Sequence, residues 1–447
     1  MLRALLLGCV LVFPVTVHAA VFYPTSYTLD NGLQLIVVPN HLAPAVNQMV
    51  WYKVGSGDED KGKTGLAHYL EHLMFRGTTS MAPGEFSKMI AAQGGNDNAF
   101  TSYDYTAYHE TVAADRLPMI MQMEADRMQN LVIKPETALP ELNVVLSERQ
   151  QRTDNSPTGR FSEKVRSLLL PNHPYGAPVI GWKTEIEKLD AAKAAEFYQR
   201  HYAPNNAVVV VSGDVTPEEV KGIALATFGK VAPRDIPKRK KIASVPVNKQ
   251  KSFSMVDARV QQPQLVFNAV VPSYTTQKKG EAYAYEVLAQ TLGGGEVGVL
   301  YRHLVKVEGL ASGVDAGYDG DARGDAIFSI GLTPNPGKDI KQLEKALRKE
   351  LKRLAESGID DATIVSARER LKRAAIFARD SLMMPGYSFG MALATGGTVE
   401  DVEAWPERIE AVTPKDVNAA LKSLIANPRH IMASLLPDPK ASEAHKK

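Results

Sequence analysis

Hydrophobic and polar positions follow the same order in the two halves of the chain. Each half opens with two strand-like apolar segments, continues with helices that carry an apolar stripe, and closes with a helix, a turn and a final strand. The closing segments span residues 189–215 and 413–438. This repetition indicates an internal duplication. It predicts an α+β fold with two homologous domains, each an antiparallel β-sheet packed with α-helices.

The boundary between the halves is marked by residues 231–250, which are rich in proline and lysine and show no helical or strand periodicity. We interpret this segment as a linker. It places an N-terminal domain at residues 20–230 and a C-terminal domain at residues 251–447.

Residues 1–19 have the pattern of a secretory signal peptide, with an apolar core over residues 4–17 and the small residue Ala19 at the expected cleavage site. A membrane anchor is the alternative, but the core is shorter than the ~20 residues that span a bilayer, and Pro14 interrupts it. A lipoprotein signal acylated at Cys9 is a third interpretation, although few residues precede that cysteine. We expect cleavage, no membrane span in the mature form, and a periplasmic location.

The composition narrows the class of protein. With 447 residues, 44% of them hydrophobic, the chain is long enough for two globular domains. Basic and acidic residues are mixed and the formal net charge is +2, without the basic stripe that nucleic-acid binding requires. Cys9 is the only cysteine, so disulfides are excluded and any metal must be held by histidine and carboxylate.

One helical segment carries candidate chemistry. Residues 65–77 read GLAHYLEHLMFRG, and at 100° per residue the two histidines lie together, opposite an apolar arc. The arc consists of Leu66, Leu70, Leu73 and Met74. The spacing of His68 and His72 lets both imidazoles share one ion, with Glu71 beside it. A solvated helix face is the plain alternative, but His-x-x-Glu-His is the inverted form of the zinc-protease signature.

A catalytic zinc needs a third protein ligand and keeps its fourth position open. The segment PELNVVLSERQQR holds Glu141 and Glu148, which are seven residues apart and share a helix face. Two carboxylates on such a face are costly unless they are paired, hydrogen-bonded or bound to a metal. From the spacing alone, a structural salt-bridged pair and a ligand pair are equally open.

These motifs resemble the pitrilysin (M16) family of zinc peptidases, specifically its short two-domain bacterial members related to mitochondrial processing peptidase. The resemblance rests on HYLEH at residues 68–72, on ELNVVLSE, which ends 76 residues after His72, and on YAPNNAVVVVSGDV at residues 202–215. It extends over nearly all of the chain that follows the signal segment.

The resemblance implies a mechanism of peptide hydrolysis without a covalent intermediate. One Zn²⁺ per chain would be bound by His68, His72 and Glu148. Glu71 would be the general base, and Glu141 would orient a metal ligand. Histidine and carboxylate also accept manganese and cobalt, so zinc is the metal that the family implies and not one that the residues alone select.

The resemblance also suggests where a substrate binds. Residues 94–112 begin with turn residues and continue with strand-like aromatic and threonine positions. In the family the matching strand lies at a sheet edge and pairs with the substrate backbone, so Asn98 and Ala99 are candidate substrate contacts. An ordinary interior strand is the alternative. His109, in the same segment, is expected to be structural.

The second half has no counterpart of the zinc motif. Active family members often supply an arginine and, seven residues later, a tyrosine from this domain, but the matching positions here are Val305 and Ser312. We therefore expect a heterodimer in which this chain is the zinc subunit and a homologous M16 subunit carries the arginine and tyrosine, with a homodimer as the alternative. Replacement of the pair by Arg302 or Tyr318 within one chain is also open.

Taken together, the sequence predicts a periplasmic zinc metalloendopeptidase that acts on extended peptides or oligopeptides. A non-catalytic scaffold or assembly subunit of the same family is the rival interpretation, although the four motif residues are intact. An unrelated binding protein with a chance motif would need both the histidine motif and the downstream glutamate to be accidental. The glycine-rich residues 293–298 follow a helix-like segment, so they end a helix and do not indicate a nucleotide site.

Overall fold

A computed structural model of the protein describes residues 21–439. The predicted signal peptide at residues 1–19, with Cys9, lies outside the described residues. Within the described part, none of the helices has both the length and the apolar character needed to cross a bilayer.

Within residues 21–230, six strands form the first sheet. The strands are β1 (Thr25–Thr28), β2 (Gln34–Pro39), β3 (Ala45–Tyr52), β4 (Asn96–Thr101), β5 (Thr106–Ala113) and β6 (Ala207–Gly213). Their spatial order is β1-β2-β6-β3-β5-β4, which leaves β4 at one edge. The β2–β6 pair is parallel and the other neighbours are antiparallel.

The second sheet repeats this arrangement. Its strands are β7 (Ser252–Asp257), β8 (Gln264–Val271), β9 (Ala311–Asp319), β10 (Ala326–Pro334) and β11 (His430–Pro437), in the order β7-β11-β8-β10-β9. With β1 set aside, the strand orders of the two sheets match position by position, and the β7–β11 pair is parallel like β2–β6. The predicted α+β fold of two similar domains is confirmed. Each sheet is mixed, because its last strand returns after a helical crossover.

Helices cover both sheets. Those before residue 230 are α1 (Leu66–Leu73), α2 (Glu85–Ala92), α3 (Leu117–Asn130), α4 (Pro135–Arg149), α5 (Pro157–Leu169), α6 (Lys183–Ile186), α7 (Ala191–His201) and α8 (Pro217–Ala226). Those after it are α9 (Glu281–Gly293), α10 (Val299–Tyr301), α11 (Ile340–Ser357), α12 (Asp361–Ala378), α13 (Met384–Thr395), α14 (Val399–Glu403), α15 (Trp405–Glu410) and α16 (Pro414–Ala426).

Between residues 230 and 252 the described chain contains neither a helix nor a strand, in the region where the sequence predicts a linker. The segment is nevertheless anchored, because Val245 is buried and Asn248 donates hydrogen bonds to backbone carbonyls. The exact domain boundaries remain a prediction.

Each half contributes one helix that packs on the sheet of the other half. One face of the first sheet packs against α13 of the second half, where Trp51 and Met49 meet Phe389 and Leu393 in one apolar cluster. Conversely, α5 of the first half packs on the second sheet, where Phe161 lies in a separate apolar cluster with Val270 and Ile431. Because a sheet buries its apolar faces against other layers, each half depends on the other for part of its core.

The contact between α13 and the first sheet has no spare room. A methyl group added at Gly390 would lie 2.1 Å from the indole of Trp51, which is fully buried. We expect Gly390→Ala to lower the free energy of unfolding by about 1–3 kcal/mol, because overpacking forces the helix away from the sheet. Chemical denaturation of the whole chain measures this change.

Gly222→Ala is the matched control, since Gly222 lies in α8 and an added methyl group would meet nothing within 4 Å. There the substitution should raise stability by roughly 0.5–1 kcal/mol through helix propensity alone. Equal effects at the two positions would show that the close contact at Trp51 is unimportant.

Candidate metal centre

The start of α1 is fixed by its surroundings. Gly65 adopts φ +90°, and a Cβ there would lie 2.4 Å from the carbonyl oxygen of Ile180, so only glycine fits. The Glu59 carboxylate accepts hydrogen bonds from the N–H groups of Gly65 at 3.0 Å and Ala67 at 2.8 Å. Carboxyl oxygens at a helix N-terminus satisfy backbone N–H groups that have no partner within the helix. The position of α1, which carries both histidines, is thereby defined.

The structure brings the predicted ligands together. The ring centroids of His68 and His72 are 4.8 Å apart, and the apolar arc on the other side of the helix is buried as predicted. The Nε2 atoms of His68 and His72 lie 3.7 and 3.2 Å from Oε2 of Glu148. Candidate ligand atoms of these three residues all lie within 4.8 Å of one another.

Each of two candidate ligands has a charged partner on its far side. Nδ1 of His72 lies 2.8 Å from Oε1 of Glu141, whose other oxygen is 2.5 Å from Nη2 of Arg76. Oε1 of Glu148 lies 2.6 Å from Nη1 of Arg152. Partners of this kind orient a ligand's side chain and leave its other donor atom directed at the metal.

Burial and pairing set the protonation of the two histidines apart. Burial and the neighbouring His72 lower the pKa of His68 to about 4. Burial also lowers the pKa of His72, but hydrogen bonds with Glu141 and Glu148 outweigh it and raise the value to about 9. Metal binding requires a neutral imidazole. A bound cation would therefore displace the proton that His72 holds between Glu141 and Glu148.

Glu71 directly precedes His72 in α1 and lines the same cleft. Its Oε2 accepts a hydrogen bond of 2.5 Å from the Thr101 hydroxyl, at the end of β4. Burial raises the pKa of Glu71, and this hydrogen bond offsets only part of the rise. A carboxylate with a raised pKa is better suited to accept and release a proton near neutral pH.

Edge strand β4 forms one wall of the cleft. Asn98 and Ala99 line it, and β4 pairs with β5 on one side only. The N–H of Ala99 donates to the side-chain oxygen of Asn98 at 2.8 Å. The strand therefore has the edge position expected of it, while substrate contact by these two residues stays a prediction.

The cleft has a volume of about 580 Å³, and all of its lining residues belong to the first half of the chain, between His68 and Ile180. Val305 and Ser312 are not among them. Neither are Arg302 and Tyr318, and the Tyr318 hydroxyl donates to the carbonyl of Pro272 at 2.7 Å. The replacement of the missing arginine and tyrosine by these residues gains no support from the arrangement.

The structure places His109 away from the metal cluster. It is a buried residue of β5, and its ring lies near those of Phe100 and Tyr387. Burial lowers its pKa, which favours the neutral form. This environment suits the structural role that the sequence suggests.

Sequence reasoning missed three participants, Arg76, Arg152 and Thr101. Arg152 follows Glu148 by four residues, a spacing that favours an ion pair on a helix and could have identified it. The contact of Thr101 with Glu71 joins a strand to a helix thirty residues earlier and leaves no signal in the local pattern.

The donor set fits the implied metal. Two imidazole nitrogens and one carboxylate are the three-ligand pattern of catalytic zinc sites, and Glu141 supplies the outer carboxylate that such histidines commonly have.

The fold and this cluster define a class, that of two-domain candidate metallopeptidases. Two family models match the chain: Insulinase (Peptidase family M16) over residues 35–182, and Peptidase M16 inactive domain over residues 188–371. The chain therefore belongs to peptidase family M16.

Individual relatives agree with this assignment. The zinc protease PqqE of Helicobacter pylori is 32% identical over 354 residues, covering 78% of this chain and 79% of that protein. An uncharacterised zinc protease of Streptomyces coelicolor is 27% identical over 94% of this chain and 91% of its own length. The crystal structure of a protease from Helicobacter pylori superposes with a TM-score of 0.86 at 26% identity, covering 93% of this chain and all of that one.

The three-residue cluster generates a test of the ligand assignment. We expect Glu148→Ala to lose zinc, because only the two histidines of the group remain. Glu141→Gln should retain zinc with an affinity about 10- to 100-fold weaker, as is typical when an outer partner of a ligand is removed. Metal analysis after dialysis, and competition with a chromogenic chelator, measure the two effects. Stoichiometric zinc in Glu148→Ala would mean that another residue is the third ligand, with Glu141 first in line.

Proposed function

We propose that this chain is a zinc-dependent metallopeptidase that hydrolyses extended peptides or oligopeptides. The observation that carries the proposal is the convergence of His68, His72 and Glu148 in one cleft, with Glu71 beside them and a free strand edge as the wall. Membership in a family whose relatives are named zinc proteases supports it.

In this proposal His68, His72 and Glu148 hold one zinc ion per chain. When bound, the ion would act as a Lewis acid toward a peptide carbonyl and toward water. Arg152 keeps one oxygen of Glu148 occupied, so the other oxygen is directed between the imidazoles.

Glu71 is the proposed general base. Its carboxylate accepts the proton of the attacking water and delivers it to the leaving amine, so no covalent intermediate with the protein is needed. The Thr101 hydroxyl fixes the orientation of the carboxylate and ties it to the strand that would hold the substrate. Proton acceptor and substrate strand are thereby kept in one geometry.

The edge of β4 is the proposed binding site for the peptide backbone. An extended peptide added to a sheet edge gains main-chain hydrogen bonds with little dependence on its side chains. The N–H of Ala99 now donates to the side chain of Asn98, and a substrate carbonyl could take over that hydrogen bond. This mode of binding favours unstructured oligopeptides over folded proteins.

A substitution at Glu71 tests the proposed activity. We expect Glu71→Gln to keep stoichiometric zinc and to lose peptide hydrolysis by at least ~100-fold, because the amide cannot accept a proton while the three ligands stay in place. Casein-derived peptides analysed by mass spectrometry report cleavage, and metal analysis reports zinc.

Glu136→Gln is the matched control for this substitution, since Glu136 is an exposed glutamate in the first turn of α4 and does not line the cleft. It should leave both readouts unchanged. Zinc binding without cleavage of any peptide by the unmodified chain, alone or with a partner, would favour the non-catalytic scaffold instead.

We further propose that the protein works in the periplasm, on the basis of the signal-like pattern of residues 1–19. We also propose that its partner is a homologous M16 subunit that carries the arginine and tyrosine, with a homodimer as the alternative. The confinement of the cleft to residues of the first half supports this, because none of the described residues of the second half lines it.

Peptide turnover can decide between these assemblies. We expect the purified chain alone to hydrolyse peptides slowly. A homologue that lacks the zinc motif but has the arginine and tyrosine should raise the rate of hydrolysis by about 100-fold, because loss of the correct peptide position can lower the rate by that factor. The same homologue with its arginine and tyrosine replaced is the control. Full activity of the chain by itself, unchanged by the homologue, would rule out the heterodimer.

A further inference from the structure

A buried ionic network joins the linker and the second half to the first. Asp58 accepts two hydrogen bonds from Arg239 of the linker region, at 2.6 and 3.3 Å, and a third from Arg323 of the second half at 2.8 Å. The side chains are 11% exposed for Asp58 and Arg323 and 20% for Arg239. Ion pairs shielded from water in this way are held in a defined geometry by their hydrogen bonds.

A second aspartate extends the network. Asp104 accepts a hydrogen bond from the backbone N–H of Arg323 at 3.1 Å and another from the Tyr175 hydroxyl at 2.5 Å. The same hydroxyl accepts from the N–H of Gly324 at 3.0 Å. Arg239 also donates to the carbonyl of Asp104 at 2.6 Å. Linker and second half therefore fix the backbone around Asp104 as well as its side chain.

The two aspartates belong to the segments that build the metal centre. Asp58 directly precedes Glu59, whose carboxylate caps the start of α1. Asp104 lies in the turn between β4 and β5, so it sets the end of the proposed substrate strand. The two segments are bonded to each other, because the N–H of Gly57 donates to the carbonyl of Tyr103 at 2.7 Å.

We propose that Arg323 and Arg239 are positioning residues of the active site, through which the second half holds strand β4 and helix α1 in register. This inference rests on the proposed peptidase function. An edge strand has a neighbour on one side only, so the anchoring of its terminal turn decides how precisely its free edge is presented. The second half thus contributes to the site even though none of its side chains up to residue 439 lines the cleft.

Arg323→Gln in the full chain tests the proposal. We expect kcat/KM for unstructured peptides to fall about tenfold, carried mainly by KM, because a displaced strand edge would pair less well with the peptide backbone. Zinc content should stay stoichiometric. Hydrogen exchange of residues 96–105 should accelerate relative to the rest of the first sheet.

Arg160→Gln is the matched control. Arg160 forms an ion pair with Asp257 that also joins the two halves, but neither residue lines the cleft. It should leave KM and the exchange of residues 96–105 unchanged. Asp58→Asn should change KM and exchange in the same direction as Arg323→Gln, and the double variant should show less than the sum of the two effects, because both single variants lose the Arg323–Asp58 hydrogen bond.

The readouts separate this proposal from the proposed function. Hydrogen exchange, and binding of a fluorescent casein-derived peptide to chains that also carry Glu71→Gln, need no turnover. Faster exchange and weaker peptide binding in Arg323→Gln, but not in Arg160→Gln, support the coupling even if no chain cleaves peptides. Equal effects of Arg323→Gln and Arg160→Gln, or additive effects with Asp58→Asn, overturn it. If Arg323→Gln does not fold, Arg323→Lys, which keeps the charge and loses the fork of donors, is judged by the same readouts.

Discussion

The site depends on the packing of α1 against α4. The two helices meet in the first core, where Leu70 and Leu73 are buried with Val145, and the Tyr69 hydroxyl donates to the carbonyl of Ala138 at 2.5 Å. Residues four apart on one helix and seven apart on the other form rows along the contact, so one alignment brings both histidines to Glu148 and His72 also to Glu141. A rotation of either helix by one residue, about 100°, would remove its ligands from the cleft.

Ion pairs and hydrogen bonds among the side chains also hold the candidate ligands in place. Glu148 is approached by His68 and His72 on one oxygen and by Arg152 on the other, while Glu141 lies between His72 and Arg76. Partly buried carboxylates are costly unless they are compensated, and here protonated His72 and the arginines supply the compensation. Because hydrogen bonds with Glu141 and Glu148 raise the pKa of His72 despite its burial, the site already favours positive charge at the point where a metal would bind.

The pattern of the sequence predicted most of the architecture and the core of the candidate site. Helix α1 with its buried arc, the strands that open and close each half, and the proximity of His68 to His72 follow from periodicity and spacing. The choice of Glu148 as the third member of the group came from the family resemblance, because spacing alone left Glu141 and Glu148 open as a salt-bridged pair. The contact of Thr101 with Glu71, the exchange of α5 and α13, and the network at Asp58 did not follow, because each joins segments that only tertiary packing brings together. The parallel pair in each sheet was missed for the same reason, since strand direction depends on the crossover and not on the strand's own residues.

The packing of α13 on the first sheet and of α5 on the second explains why the first half needs the second, although the second has no metal motif. If the second half were removed, the face of the first sheet that carries Trp51 would lose its cover, and the second sheet alone would lose α5. Large exposed apolar faces of this kind are unfavourable in a free domain. In the described chain the three candidate metal ligands all belong to the first half. The second half is therefore constrained by its packing and its ion pairs with the first half, and not by metal binding. The two copies of a duplicated fold can in this way have different roles. One copy carries the candidate ligands, and the other packs on it and supports the positions of those ligands.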